Sequence, residues 1–154
     1  MPCAVYLVAM SVIVPPEGTY FIHGMNSWGR NGHFKLFEEI SVSLQKDGHT
    51  TPLRDFGFIL DIERGGVIAA FDRDVTSKVE DGKKVFSWQS RKSRNYAENE
   101  LDELMSKTPK NKHNELWVRG DMATIVGGYV TGESRDFRRS MEKKGLPIRI
   151  IPVE

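Results

Sequence analysis

From Ala4 to Val14 the chain reads AVYLVAMSVIV, a run without a single charge, and Pro15-Pro16 closes it. A bilayer crossing needs about 20 apolar residues, so this run is too short to span one. A secretion leader would carry a basic stretch before its apolar centre, but the first Lys or Arg is Arg30. Val5, Val8, Val12, Ile13 and Val14 are β-branched, and a near-continuous apolar run reads as a strand covered on both faces. The prolines then end it, having no N–H to give a ladder. Between Met1 and Gly29 the one charged side chain is Glu17. The expectation is a buried first strand inside the sheet, in a cytoplasmic protein.

The 154 residues suit one domain with a sizeable core. Twenty-two basic residues against 21 acidic leave a net charge of +1, so no whole-molecule field draws the chain to nucleic acid or anionic membrane. Cys3 is the single cysteine, which excludes an internal disulfide and a thiolate zinc site. His23, His33 and His49 lack the i,i+4 spacing of a helical ligand pair, so no metal and no cofactor are expected.

Downstream, Thr19 to His23 reads as a short strand and Gly24 to Gly32 as a loop. Phe34 to Leu44 fits both periods, and its β-branched Ile40 and Val42 favour a strand. Phe56 to Ile62 and Val67 to Phe71 flank Glu63-Arg64-Gly65-Gly66, the signature of a hairpin. Val75 to Val79 and Lys83 to Gln89 flank Glu80-Asp81-Gly82, a second one. An antiparallel meander is expected from the two. Asn95, with Glu98 at the capping-box position, opens a helix with an apolar stripe of Ala97, Leu101, Leu104 and Met105. Glu115 to Val118 and Ala123 to Val126 read as strands about Gly120-Asp121, with a break after the second at Gly127-Gly128. Thr131 or Ser134 caps a second helix burying Phe137 and Met141, and Gly145-Leu146 stops it in a Schellman turn. Pro147 to Val153 completes the pattern as a strand. The predicted fold is a single α+β domain over 1–154: a mainly antiparallel sheet with two helices, 95–107 and 132–144, packed on one face.

Leu101 to Lys107, Leu116 to Asp121, Ser134 to Gly145 and Ile148 to Val153 form a helix, a strand running into Arg-x-Asp, a helix ending in glycine and a last strand. This stretch resembles the soluble part of biopolymer-transport accessory proteins. That family's membrane helix has no equivalent here, and the order is read as a common αβ arrangement, not as kinship.

Reactive side chains are densest from His23 to His33. Asn26, Trp28, Arg30 and Asn31 are the expected ligand-binding residues, threaded among glycines that let backbone approach a ligand. His23 and His33 could divide general-base and general-acid roles, which makes a metal-independent ribonuclease or phosphodiesterase the enzymatic alternative, with Arg30 or Lys92 on phosphate. Lys83, Lys84, Arg91, Lys92 and Arg94 are interleaved with Phe86, Trp88 and Tyr96, so Lys83 to Tyr96 is a third alternative, an RNA or single-strand nucleic-acid surface. No P-loop, dinucleotide fingerprint or nucleophile elbow occurs. The leading expectation is a small soluble, non-enzymatic binding domain for a small molecule or protein, with no membrane partner. It would be a homodimer, because an open sheet leaves edges that a second copy can cover.

Overall fold

A computed structural model describes residues 11–29, 34–36, 38–74, 77–80, 83–86 and 94–153, and for 77–80 and 83–86 the backbone only. The strands are β1 (Thr19–Met25), β2 (Glu39–Lys46), β3 (Phe56–Ile62), β4 (Val67–Phe71), β5 (Ser77–Glu80), β6 (Lys83–Phe86), β7 (Glu115–Arg119), β8 (Ala123–Val130) and β9 (Ile148–Ile150). The helices are α1 (Leu101–Lys107) and α2 (Arg135–Lys143). Seven strands form one sheet in the order β4-β7-β2-β1-β3-β8-β9, and β5 pairs with β6 apart from it. Every pairing is antiparallel except β8 with β9, which is parallel.

Alternation along the strands decides which face is covered. Phe21, Ile40, Val42, Leu44, Phe58, Leu60, Ile62, Leu116, Val118 and Val130 share one cluster with Leu101, Leu104 and Met105 of α1 and Phe137 and Met141 of α2. Both helices therefore sit on one face of the sheet, as the sequence predicts. The intervening residues turn the other way and form two smaller clusters, one around Ile22, Tyr129 and Ile151 and one around Ala69 and Phe71.

The expected meander is replaced by a crossed order. Residues Glu63 to Gly66 do form a tight turn, with Gly66 N donating to Glu63 O at 2.9 Å and Gly65 at φ +89°. Yet β3 pairs with β1 and β8, while β4 pairs with β7, four places away. On a flat sheet four places would separate the strands by about 19 Å. Five peptide steps, from Ile62 to Val67, reach at most about 17 Å. The sheet must therefore be strongly coiled. The same holds for β7 and β8, joined by one 3-10 turn over Gly120–Met122 and also four places apart.

Other expectations need correction. Residues 1–10 of the apolar opening lie outside the described residues. Its described end makes one bridge, Val12 to Glu63, and one backbone bond, Ile13 N to Ile62 O at 2.8 Å, while Val14 is 83% exposed. Leu60 and the residues before it in β3 are flanked by β1 and β8, so Val12 and buried Ile13 add to the tip of β3. The first helix starts late, with a 3-10 turn over Glu98–Glu100 leading into α1. Asn95 does not cap it; Glu100 Oε1 accepts from Ala97 N at 2.9 Å instead. At α2 the N-cap is Ser134, but with φ 38° and no side-chain cap bond. The Schellman stop is as expected: Gly145 N donates to Glu142 O at 2.9 Å and Leu146 N to Met141 O at 3.0 Å. β8 continues through Gly127-Gly128 because a side chain there would be crowded. A Cβ on Gly128 would fall 2.9 Å from Phe137 Cζ, so the glycine lets α2 approach the strand.

The β4 rim is covered by its own chain. Tyr96 N donates to Ala70 O at 2.7 Å, and Ala70 N donates to Asn95 Oδ1 at 3.0 Å. Glu98 accepts from Gly65 N at 3.0 Å and from Val67 N at 3.4 Å. The opposite rim, β9, is three residues long between Pro147 and Pro152. Among the described residues the seven-stranded sheet is thus bounded by a rim its own chain covers and by a three-residue strand.

Candidate functional site

The face turned away from the helices carries a polar hollow. β1 presents Ile22 and Gly24 there, β2 presents Ser41 and Ser43, β7 presents Glu115 and β8 presents Tyr129. Segments at the strand ends add Asn26, Leu53, Arg54, Asp74 and His113. With His23, these residues line a cavity of about 270 Å³.

One wall is acidic. Ser41 Oγ donates to Glu115 Oε2 at 2.5 Å, and the Glu115 residue is 9% exposed. Asp74 reaches in from the end of β4, its side chain 56% exposed, with Oδ2 3.7 Å from His113 Nε2. That nitrogen is buried and has no hydrogen-bond partner among the described residues. Ser43 Oγ donates to Asn114 O at 2.9 Å.

The other wall is basic. A Cβ on Gly24 would lie 2.7 Å from Arg54 Cγ and 3.0 Å from Tyr129 Oη, so the missing side chain is what allows the Arg54 stem to lie across β1. Tyr129 Oη donates to Arg54 O at 3.1 Å and anchors that segment. Burial first, then the charge of Asp55, push the Tyr129 phenol well above its ordinary range, against the opposing pull of Arg54. It stays a neutral donor at physiological pH.

His23 lines the cavity from β1. The β1–β2 register runs from Thr19↔Lys46 to Ile22↔Ser43, and beyond it His23 Nδ1 approaches Ser41 O at 2.7 Å. A carbonyl can only accept, so Nδ1 carries the proton, and in the neutral ring Nε2 is the acceptor.

Of the residues read from the sequence, His23 and Asn26 line this cavity. Trp28 does not. Its ring packs edge-on against Phe34, Phe58 and Phe137, at 5.4, 5.8 and 5.1 Å between centroids, and Nε1 donates to Ser140 Oγ at 2.8 Å. It ties its loop to α2 as part of the core. Arg30, Asn31 and His33 lie outside the described residues, as do Arg91 and Lys92. Lys83 and Lys84 are in β6. Arg94 is paired with Glu100 and, at 2.7 Å, with Glu103, and its guanidinium lies 4.7 Å over the Tyr96 ring.

Arg54, Asp74, His113 and Glu115 carry no signal in the sequence. Arg54 and Asp74 stand in separate segments from His113 and Glu115, and no motif joins the four. Among the described residues no cluster of His, Cys, Asp and Glu is arranged to hold a metal, and no helix is long and apolar enough to cross a membrane. Comparison with family models, with curated proteins and with solved structures finds no match.

Proposed function

We propose that the protein is a binding domain whose ligand is a small polar molecule held in the cavity over β1 and β2. The observation that carries this reading is that one cavity is lined both by a nearly buried carboxylate, Glu115, and by an arginine laid across a glycine, Arg54. Glu115 is held at 9% exposure with the Ser41 hydroxyl donating to it, since withdrawing a carboxylate from water is costly unless it is bonded. A glycine in a strand weakens it and commonly marks close approach by a ligand or another chain segment, and at Gly24, near the end of β1, it seats the Arg54 stem over the cavity. The enclosed volume, about 270 Å³, lies just under the roughly 300–1,000 Å³ range of small-molecule sites.

The test is a small-molecule library followed by backbone amide NMR. Binders are expected to shift the amides of residues 22–26, 41–43 and 113–115 together. A broad library that produces no shifts, or shifts that map to another face, overturns the reading.

A further inference from the structure

We infer that the protein carries a second site, apart from the cavity over β1 and β2: a groove along α2 that takes the phosphate monoester group of a small molecule. Gly132, Glu133, Arg135, Arg138, Arg139 and Glu142 line this open groove of about 470 Å³. Helix spacing brings the arginines together. Arg138 and Arg139 follow Arg135 by three and four residues, so all three leave one face of α2, with Cβ atoms roughly 5–6 Å from that of Arg135.

The protein leaves these guanidinium groups without partners. Among the described residues, the Arg135 and Arg139 side chains make no hydrogen bond and no ion pair. Arg138 uses one of its five N–H donors, Nη2 on Gly132 O at 3.1 Å, and its Nε is buried with no acceptor. A buried donor on a cation is rarely left so. Glu142 stands three residues from Arg139 and four from Arg138, yet pairs with neither. Helix stability does not account for Arg135 either, because the first turn of a helix favours acids. Guanidinium forks suit oxyanions, and three of them offer more donors than the two oxygens of a carboxylate accept. A phosphate monoester brings three terminal oxygens and close to two charges near neutral pH, so it engages all three arginines. A phosphodiester keeps two such oxygens and one charge. A nucleic-acid strand would also carry its next phosphates toward Glu133, Asp136 or Glu142, all exposed, where like charge repels.

The experiment titrates the full chain at neutral pH with phenyl phosphate, methyl phenyl phosphate, benzoate and a short single-stranded RNA without a terminal phosphate. Calorimetry and the backbone amide shifts of residues 132–139 are the readouts. Phenyl phosphate should move these amides, and the diester and benzoate should bind at least about tenfold more weakly. Arg135→Gln and Arg139→Gln should each weaken phenyl phosphate at least about fivefold, and Glu142→Gln should strengthen it. The three side chains are exposed, and circular dichroism melts check that the variants remain folded. Benzoate binding as tightly, arginine variants that bind phenyl phosphate like the parent, or no shift at millimolar ligand overturns the inference. So does RNA that moves these amides at lower concentration than phenyl phosphate, which would make the groove a nucleic-acid surface. Shifts at residues 22–26 and 41–43 report on the other cavity, so either site can fail without the other.

Discussion

Asn114 completes the β2–β7 ladder with its side chain. Its Oδ1 accepts from Leu44 N at 2.7 Å, and its Nδ2 donates to Leu44 O at 3.0 Å. The regular register between the two strands ends at Val42↔Leu116, so the carboxamide replaces the next backbone pair. Both residues are 0% exposed, and no water can take over the bonds. Asn114→Ala would bury an unpaired N–H and an unpaired carbonyl, each costing about 1–3 kcal/mol. The variant is expected to lose about 2–4 kcal/mol, read as a shift of the urea midpoint at unchanged slope. A loss below about 0.5 kcal/mol, the range of ordinary surface changes, would mean that the carboxamide does not complete the ladder.

A second prediction concerns the covered rim. Asn95 satisfies Ala70 N, which otherwise faces outward from β4. Asn95→Ala is expected to cost about 1 kcal/mol and to speed hydrogen exchange at the Ala70 amide selectively. With Glu98→Ala added, the freed edge should promote concentration-dependent association visible by light scattering. Unchanged exchange at Ala70 would show that the Asn95 bond protects nothing.

Local chemistry is what the sequence makes readable. The turn residues of Glu63 to Gly66, the alternation of Ile40, Val42 and Leu44, and the Gly145 stop are local, and the structure contains all three. What the turn could not disclose is that its two strands pair elsewhere, because pairing depends on contacts far apart in the chain. Asn95 and Glu98 have the spacing of a helix cap, but tertiary contact turned both to the β4 region. The cavity was partly legible: His23 and Asn26 lie in or beside the glycine-rich stretch that reads as a binding loop, whereas Arg54, Asp74 and the His113–Glu115 segment meet only through the sheet order.

Trp28 offers a third prediction, because its role differs from the ligand-stacking one its loop implied. Trp28→Ala should cost about 3–5 kcal/mol, as for other large aromatic truncations in cores. Ser140→Ala should cost about 0.5–1.5 kcal/mol, and its effect should nearly vanish in a Trp28→Phe background, where the indole N–H is already gone. The measurement is a double-mutant cycle by chemical denaturation. Additive losses would mean that the Trp28–Ser140 bond contributes nothing. Ligand shifts at residues 22–26 should survive Ser140→Ala, since that contact lies on the opposite face.

The last prediction is a pH dependence at Asp47. Burial alone would raise this carboxyl, but hydrogen bonds from Tyr20 at 2.6 Å, from Arg149 at 3.1 and 3.3 Å and from Gln45 at 3.3 Å outweigh it and hold it below the usual range. The unfolded chain therefore binds the proton more tightly than the folded one. The stability this site supplies is complete above the unfolded value of about 3.9 and is lost as pH falls through the folded value. Tyr20 adds no pH dependence in acid. Burial first and the Asp47 bond second raise its phenol, so its contribution is complete below about pH 10 and fails only in alkali. Denaturation curves for the parent and for Asp47→Asn should accordingly be separated near neutrality and converge from about pH 4 downward. Tyr20→Phe keeps the ring that lies 4.2 Å beneath the Arg149 guanidinium but removes a donor to the carboxylate, so its acid limb should begin at the same pH as the parent's, lose less in total and end at higher pH. Parallel curves for the parent and Asp47→Asn from pH 7 to pH 2 would show that these bonds do not favour the ionised carboxyl in the folded state.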